Sequence, residues 1–99
     1  MEVSKIISDG VLTLFVSGKL SATTADAFGQ AVEEAVDETQ RLVLDFKEVS
    51  YLASSGLRVL ISAQKKLEQK KGSMTILHVS SDLKEVFEIT GLDEMLDIR

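Results

Sequence analysis

Ser54 and Ser55 are the residues of this chain best placed to do chemistry. They stand side by side in Val49-Ser50-Tyr51-Leu52-Ala53-Ser54-Ser55-Gly56-Leu57-Arg58, after an apolar run and at the expected start of a helix. Two readings follow. In the first, one serine accepts a hydrogen bond from a free backbone N–H and caps the helix, while Gly56 permits close packing. In the second, Ser54 is exposed at the helix start and accepts a phosphoryl group, with Ser55 as second choice. Phosphate would add about −1.5 to −2 charges. A helix N-terminus accommodates that charge through its free N–H groups and dipole. A partner surface packed against the same loop would not. The domain would stay folded while an interface is lost. Tyr51 and Leu52 offer apolar contact nearby, and Leu57 suits the core better. Arg58 is the only charge between Val49 and Gln64, and it is expected to be exposed, meeting the phosphate or a partner.

Other chemistries lack their residues. His78 is the only histidine and sits between Leu77 and Val79, where a buried strand is expected. No His/Asp/Glu grouping has metal-ligand spacing, so no metal is expected. A serine hydrolase needs a base beside its nucleophile, and Gly-x-Ser-x-Gly is absent. The glycine-rich phosphate motifs are absent too, so no cofactor is expected. With no Cys there is no disulfide, thiolate zinc site or cysteine nucleophile. The chain is therefore read as a non-enzyme. Its 11 Lys+Arg against 16 Asp+Glu give a formal charge of −5, which argues against general affinity for nucleic acid or anionic membranes. Met1-Glu2-Val3-Ser4-Lys5 does not open a signal peptide. The longest apolar run falls far short of the ~20 residues that cross a bilayer, so no direct membrane insertion is expected. A cytoplasmic location fits these features.

The elements that must hold the serines follow from periodicity. At 99 residues the chain is read as one domain, residues 1–99. Val3–Ile7 and Val11–Ser17 read as strands joined through Ser8-Asp9-Gly10, an antiparallel hairpin that Gly18 ends. Thr23, with Asp26 three residues on, marks a helix start. Ala25, Phe28, Val32, Ala35 and Val36 form its inner face, and the acidic run Glu33, Glu34, Asp37, Glu38 its solvated face. Leu42–Phe46 is a nearly continuous apolar run, as in strands buried on both faces. Lys47–Ala53 reads as a loop. The second helix spans about Ser54 to Lys71, with cations in its last turns and Gly72 beyond them. Met74–Val79 is the next buried strand. Ser81-Asp82 starts a helix with Leu83, Val86 and Phe87 inside and Gly91 at its end. Leu92–Ile98 holds a final turn and a short strand. The fold class is α/β: a mixed central sheet opened by a hairpin, with helices packed mainly on one face.

These segments resemble the STAS domain family, and in particular the bacterial anti-sigma factor antagonists. Leu42-Val43-Leu44-Asp45-Phe46 followed by Val49-Ser50-Tyr51-Leu52-Ala53-Ser54-Ser55-Gly56-Leu57 is similar to the family's buried strand ending in Asp, then Val-x-aromatic-apolar-Asp-Ser-Ser/Ala-Gly-Leu. Gly18-x-Leu20 resembles the family's Gly-x-Leu-Asp, and Phe87-x-x-x-Gly91-Leu92 the close of its third helix. The resemblance implies a partner switch. The unphosphorylated antagonist binds an anti-sigma factor, often a serine kinase, and so frees a sigma factor. Phosphorylation of the serine after the motif's Asp, Ser54 by position, abolishes binding, and a phosphatase restores it. ATP belongs to the kinase. This chain carries Ala53 and Ser21 where the family has acids, and Lys19 where an acid is common.

The expected function is thus a regulatory protein-binding module. Its partner surface comprises Tyr51, Leu52, Ala53, Ser55, Gly56 and Arg58, with Ser21 and Thr23 from the neighbouring loop. A weak homodimer is compatible with this role. Three alternatives stand beside it: a STAS subunit of a lipid-transport or stress-signalling assembly without a phospho-switch, a small anion- or nucleotide-binding domain using the same helix N-terminus, and a purely structural oligomerisation domain.

Overall fold

A tight turn starts the fold. Asp9 and Gly10 both take the left-handed backbone region, with φ of 53° and 79°, which reverses the chain between β1 (Glu2–Ser8) and β2 (Val11–Leu20). The computed structural model describes residues 1–99. After the hairpin come α1 (Ala25–Glu38), β3 (Arg41–Leu52), α2 (Ser54–Gln69), β4 (Ser73–Leu77), α3 (Ser81–Thr90), a 3-10 turn at Leu92–Glu94, and β5 (Asp97–Ile98). The five strands lie in chain order, β1-β2-β3-β4-β5. β1 pairs with β2 antiparallel, and every later pair is parallel. Each crossover therefore steps the same way across the sheet, and right-handed crossovers put all three helices on one face. This is the mixed, hairpin-opened sheet that the sequence pattern implies.

The core lies between that sheet face and the helices. Leu12, Leu14 and Val16 of β2, Leu42, Leu44 and Phe46 of β3, and Met74 and Ile76 of β4 meet Phe28 and Val32 of α1, Leu60 and Leu67 of α2, and Leu83 and Phe87 of α3. Each such side chain contributes about 1.5–3 kcal/mol by leaving water. The rings of Phe28 and Phe46 sit 6.3 Å apart and tilted by 58°, which ties α1 to β3.

Several local expectations need correction. Lys47–Ala53 is not a loop: β3 continues to Leu52, paired with β2 through Leu20↔Leu52. The pairing shifts between Phe15 and Ser17 and again between Gly18 and Lys19. These irregularities break the in–out alternation, so a strand with buried Val49 and Leu52 looks like a polar connection in sequence. Asp45 Oδ1 accepts from the Lys47 N–H at 3.0 Å where the alternation breaks. β2 likewise runs past Gly18, whose φ is 96°. His78 is not in a buried strand. β4 ends at Leu77, and His78 takes a φ of 58° that turns its ring out to solvent. Thr24 rather than Thr23 stands at the N-cap of α1. α3 does start at Ser81, as the sequence pattern implies, and Ser80 before it caps the helix by accepting from the Leu83 N–H at 3.2 Å. After α2 the left-handed residue is Lys71, with φ 60°. Gly72 is required for another reason: a Cβ there would run into the Gln40 backbone carbonyl.

Candidate functional site

The serine-bearing edge is built by the C-terminal ends of β2 and β3. Leu20 pairs with Leu52, and the Ala53 N–H donates to the Leu20 carbonyl at 2.8 Å. The chain leaving β2 at Ser21 and the chain entering α2 at Ala53 therefore emerge side by side. Ser21 and Thr23 thus join the start of α2 at one edge. Their loop is held by its own hydroxyls. Thr24 Oγ1 accepts from the Ser21 N–H at 2.9 Å and donates to the Lys19 carbonyl at 2.8 Å. The hydroxyls of Ser21 and Thr23 are 2.9 Å apart.

α2 begins without a side-chain cap. Ala53, at the N-cap, has φ −80° and ψ 166°, and no side chain accepts a bond from the first turn. The Gly56 and Leu57 N–H groups donate to the Ala53 carbonyl at 3.0 and 3.1 Å. The N–H groups ahead of them have no partner inside the helix. The capping reading therefore fails: neither Ser54 nor Ser55 caps α2. The two serines differ sharply. Ser54 is exposed. The Ser55 hydroxyl is buried and has no hydrogen-bond partner.

The other expected residues divide by depth. Tyr51 is 52% exposed, and Arg58 and Thr23 are exposed. Ser21 and Ala53 are half-buried. Leu52 is buried, and so is Gly56, where a Cβ would stand 2.6 Å from Leu52 Cδ1 and 3.5 Å from Leu20 Cβ. These two shape the edge from beneath. The surface itself is Thr23, Tyr51, Ser54 and Arg58, flanked by Ser21 and Ala53.

Arg58 also lines a groove of about 380 Å³ between α1 and α2. Its floor includes Val32, Val36 and Val59, and Glu33 and Lys66 pair across it. The hydrogen bond from Lys66, reinforced by its charge, holds the Glu33 carboxyl below its usual range. The sequence pattern marked the acidic face of α1 but not this groove. The one local signal for it is Gly29, where a Cβ would stand 3.3 Å from Val59 Cγ2 and narrow the gap. No group of three or more His, Asp or Glu side chains gathers to hold a metal ion. No helix is long and apolar enough to cross a membrane.

A five-stranded mixed sheet with three helices on one face defines a two-layer α/β domain. The STAS domain model matches residues 2–99, and the chain belongs to that family. The anti-sigma-B factor antagonist of Listeria monocytogenes is 37% identical over 89 residues, covering 89% of this chain and 78% of that protein. The anti-sigma F factor antagonist of Paenibacillus polymyxa is 31% identical over 91 residues, 90% of this chain and 78% of that one. Among solved structures, an anti-sigma factor antagonist from Mycobacterium paratuberculosis superposes with a TM-score of 0.85 at 29% identity, covering 98% of this chain and 83% of that one.

Proposed function

We propose that this chain is an anti-sigma factor antagonist that works as a partner switch in the bacterial cytoplasm. Unphosphorylated, it binds an anti-sigma factor of the serine-kinase type through Tyr51, Ala53, Ser54, Arg58 and the adjoining Ser21 and Thr23. The kinase binds ATP and transfers its γ-phosphoryl group to Ser54 Oγ, breaking the bond to the bridging oxygen and releasing ADP, while the serine proton passes to the kinase's base. A phosphatase reverses the step by hydrolysis.

The observation that carries this reading is Ser54 itself: an exposed hydroxyl in the first turn of α2, where no side chain caps the helix. Free N–H groups and the helix dipole stabilise an anion there. The fold thus tolerates the phosphate, while a partner seated on Tyr51 and Arg58 meets a new, hydrated dianion and is repelled. Ser55 is the poorer acceptor because its hydroxyl is buried. The test is mass spectrometry after incubation with ATP and a kinase-type anti-sigma factor from the same host. Phosphate should appear on Ser54 and vanish in Ser54→Ala; phosphate on Ser55 alone, or none, refutes the assignment.

Ala53 favours a second reading. It places no carboxylate next to the acceptor for a kinase to recognise, as a STAS subunit of a lipid-transport or stress-signalling assembly would not need to. Protein purified from its native host without any phosphate on Ser54 would support that alternative.

A further inference from the structure

The chain carries 16 acids, yet none falls between Glu48 and Glu68. That acid-free stretch is the end of β3 and nearly all of α2. On α2 the spacing i, i+4, i+8, i+11 puts Ser54, Arg58, Ser62 and Lys65 on one helical face, and all four are exposed. The stripe runs about 16 Å along the helix axis. Arg58 and Lys65 make no ion pair, whereas Lys66 beside them is neutralised by Glu33. Among these side chains lies an open depression of about 310 Å³, lined by Arg58, Ile61, Ser62, Lys65 and Lys66. Its lining holds three cations, one hydroxyl and one apolar side chain, and no acid.

We propose that this stripe docks an acidic segment of the anti-sigma partner, with a carboxylate seated in the depression between Arg58 and Lys65. The surface extends the partner switch proposed above, on which it rests, by the partner's chemistry and by Lys65, a contact outside the serine-bearing edge. The donors select the occupant. Guanidinium and ammonium groups offer N–H donors and no acceptor, so they are satisfied by a group that brings acceptors and negative charge. Nucleic acid and anionic membranes bring many such charges at once, and a chain of net charge −5 with two free cations in this stripe repels them at long range. A protein segment with one or two carboxylates matches the stripe in both length and charge. Ile61, half-buried in the lining, gives the apolar flank of that segment a place to rest. The same pattern gives the switch a physical basis. A phosphate on Ser54 stands one helical turn before Arg58, so it draws the guanidinium to itself and also repels the partner's carboxylates. One modification thus removes a contact and adds a repulsion.

Biolayer interferometry of the full chain against a kinase-type anti-sigma factor from the same host tests the inference. Lys65→Glu reverses an exposed charge that pairs with nothing in the fold, and it should weaken binding about tenfold or more with unchanged circular dichroism. Arg41→Glu makes the same change of net charge at an exposed position of β3 that alternation points away from the helices, and it should leave binding unchanged. Raising salt from about 0.05 to 0.5 M should slow association of the wild type, and slow Lys65→Glu less. Tight binding that Lys65→Glu leaves unchanged overturns the inference and leaves the switch reading standing. Equal losses in Lys65→Glu and Arg41→Glu overturn it too, because they trace the effect to overall charge rather than to the stripe. So does a wild-type chain whose self-association, and not its binding of the factor, is lost in Lys65→Glu, which assigns the depression to a second copy. A wild-type chain that does not bind the factor at all overturns the switch reading and this inference together.

Discussion

Replacing Ala53 with Asp should stabilise this protein. Ala53 already has the extended backbone that an N-cap residue adopts, with φ −80° and ψ 166°, and α2 starts with no side-chain acceptor. A carboxylate at that position would accept from the free N–H groups of the first turn and lie against the positive end of the helix dipole. Exchanging Ala for a good cap is worth about 1 kcal/mol, within roughly 0.5–2. For a chain of 99 residues, 1 kcal/mol moves the melting temperature by about 4–8 °C. Thermal unfolding followed by circular dichroism at pH 7 measures this directly. Ala53→Asn separates the two causes, since Asn keeps the hydrogen bond without the charge and should give a smaller gain. The Asp gain should shrink as the carboxyl protonates in acid, and the Asn gain should not. Melting temperatures of both variants at or below wild type would show that the first turn of α2 is satisfied by other means, and would refute the reasoning.

Three further outcomes follow. Ser55→Ala removes a buried hydroxyl without a partner, so stability in urea should hold or rise by up to about 1 kcal/mol, and phosphorylation of Ser54 should continue. Gly72→Ala forces a Cβ against the Gln40 backbone and should cost about 1–3 kcal/mol in the same assay. The Glu33 carboxyl, lowered by its hydrogen bond and charge contact with Lys66, should titrate below the ordinary carboxylate range by NMR and return to it in Lys66→Met. Because the folded-state value is depressed, any stability from this pair is present above the carboxylate range and fades as pH falls through the folded value.

The layer architecture was legible because its signals are local. Asp9-Gly10 dictates the hairpin turn, the spacing of Phe28, Val32 and Val36 dictates an inward helix face, and the apolar run Leu42–Phe46 dictates a strand, although only Leu42, Leu44 and Phe46 are buried, because the helices cover one face of the sheet and not both. The far half of β3 was not legible. Its pairing with β2 passes through register shifts, and no alternating pattern survives them. His78 misled for a related reason: flanked by Leu77 and Val79 it reads as strand, but a left-handed backbone ends β4 one residue earlier. At the site, the sequence pattern placed Ser54 and Ser55 at a helix start but could not rank them. Only the three-dimensional packing shows Ser54 exposed and the Ser55 hydroxyl buried. The adjacency of Ser21 to Ala53 also depends on tertiary structure, because it comes from the Leu20↔Leu52 pairing across the sheet.

The central claim is that one phosphate on Ser54 removes an interface without disturbing the fold. Calorimetric titration of the kinase-type anti-sigma factor with unphosphorylated chain and with chain phosphorylated on Ser54 tests it most directly. The account predicts tight binding of the first and a loss of about 100-fold or more for the second, as a buried, unpaired charge at an interface brings, with unchanged circular dichroism. Equal affinity of the two forms, or a phosphorylated form that binds weakly only because it has unfolded, would contradict it.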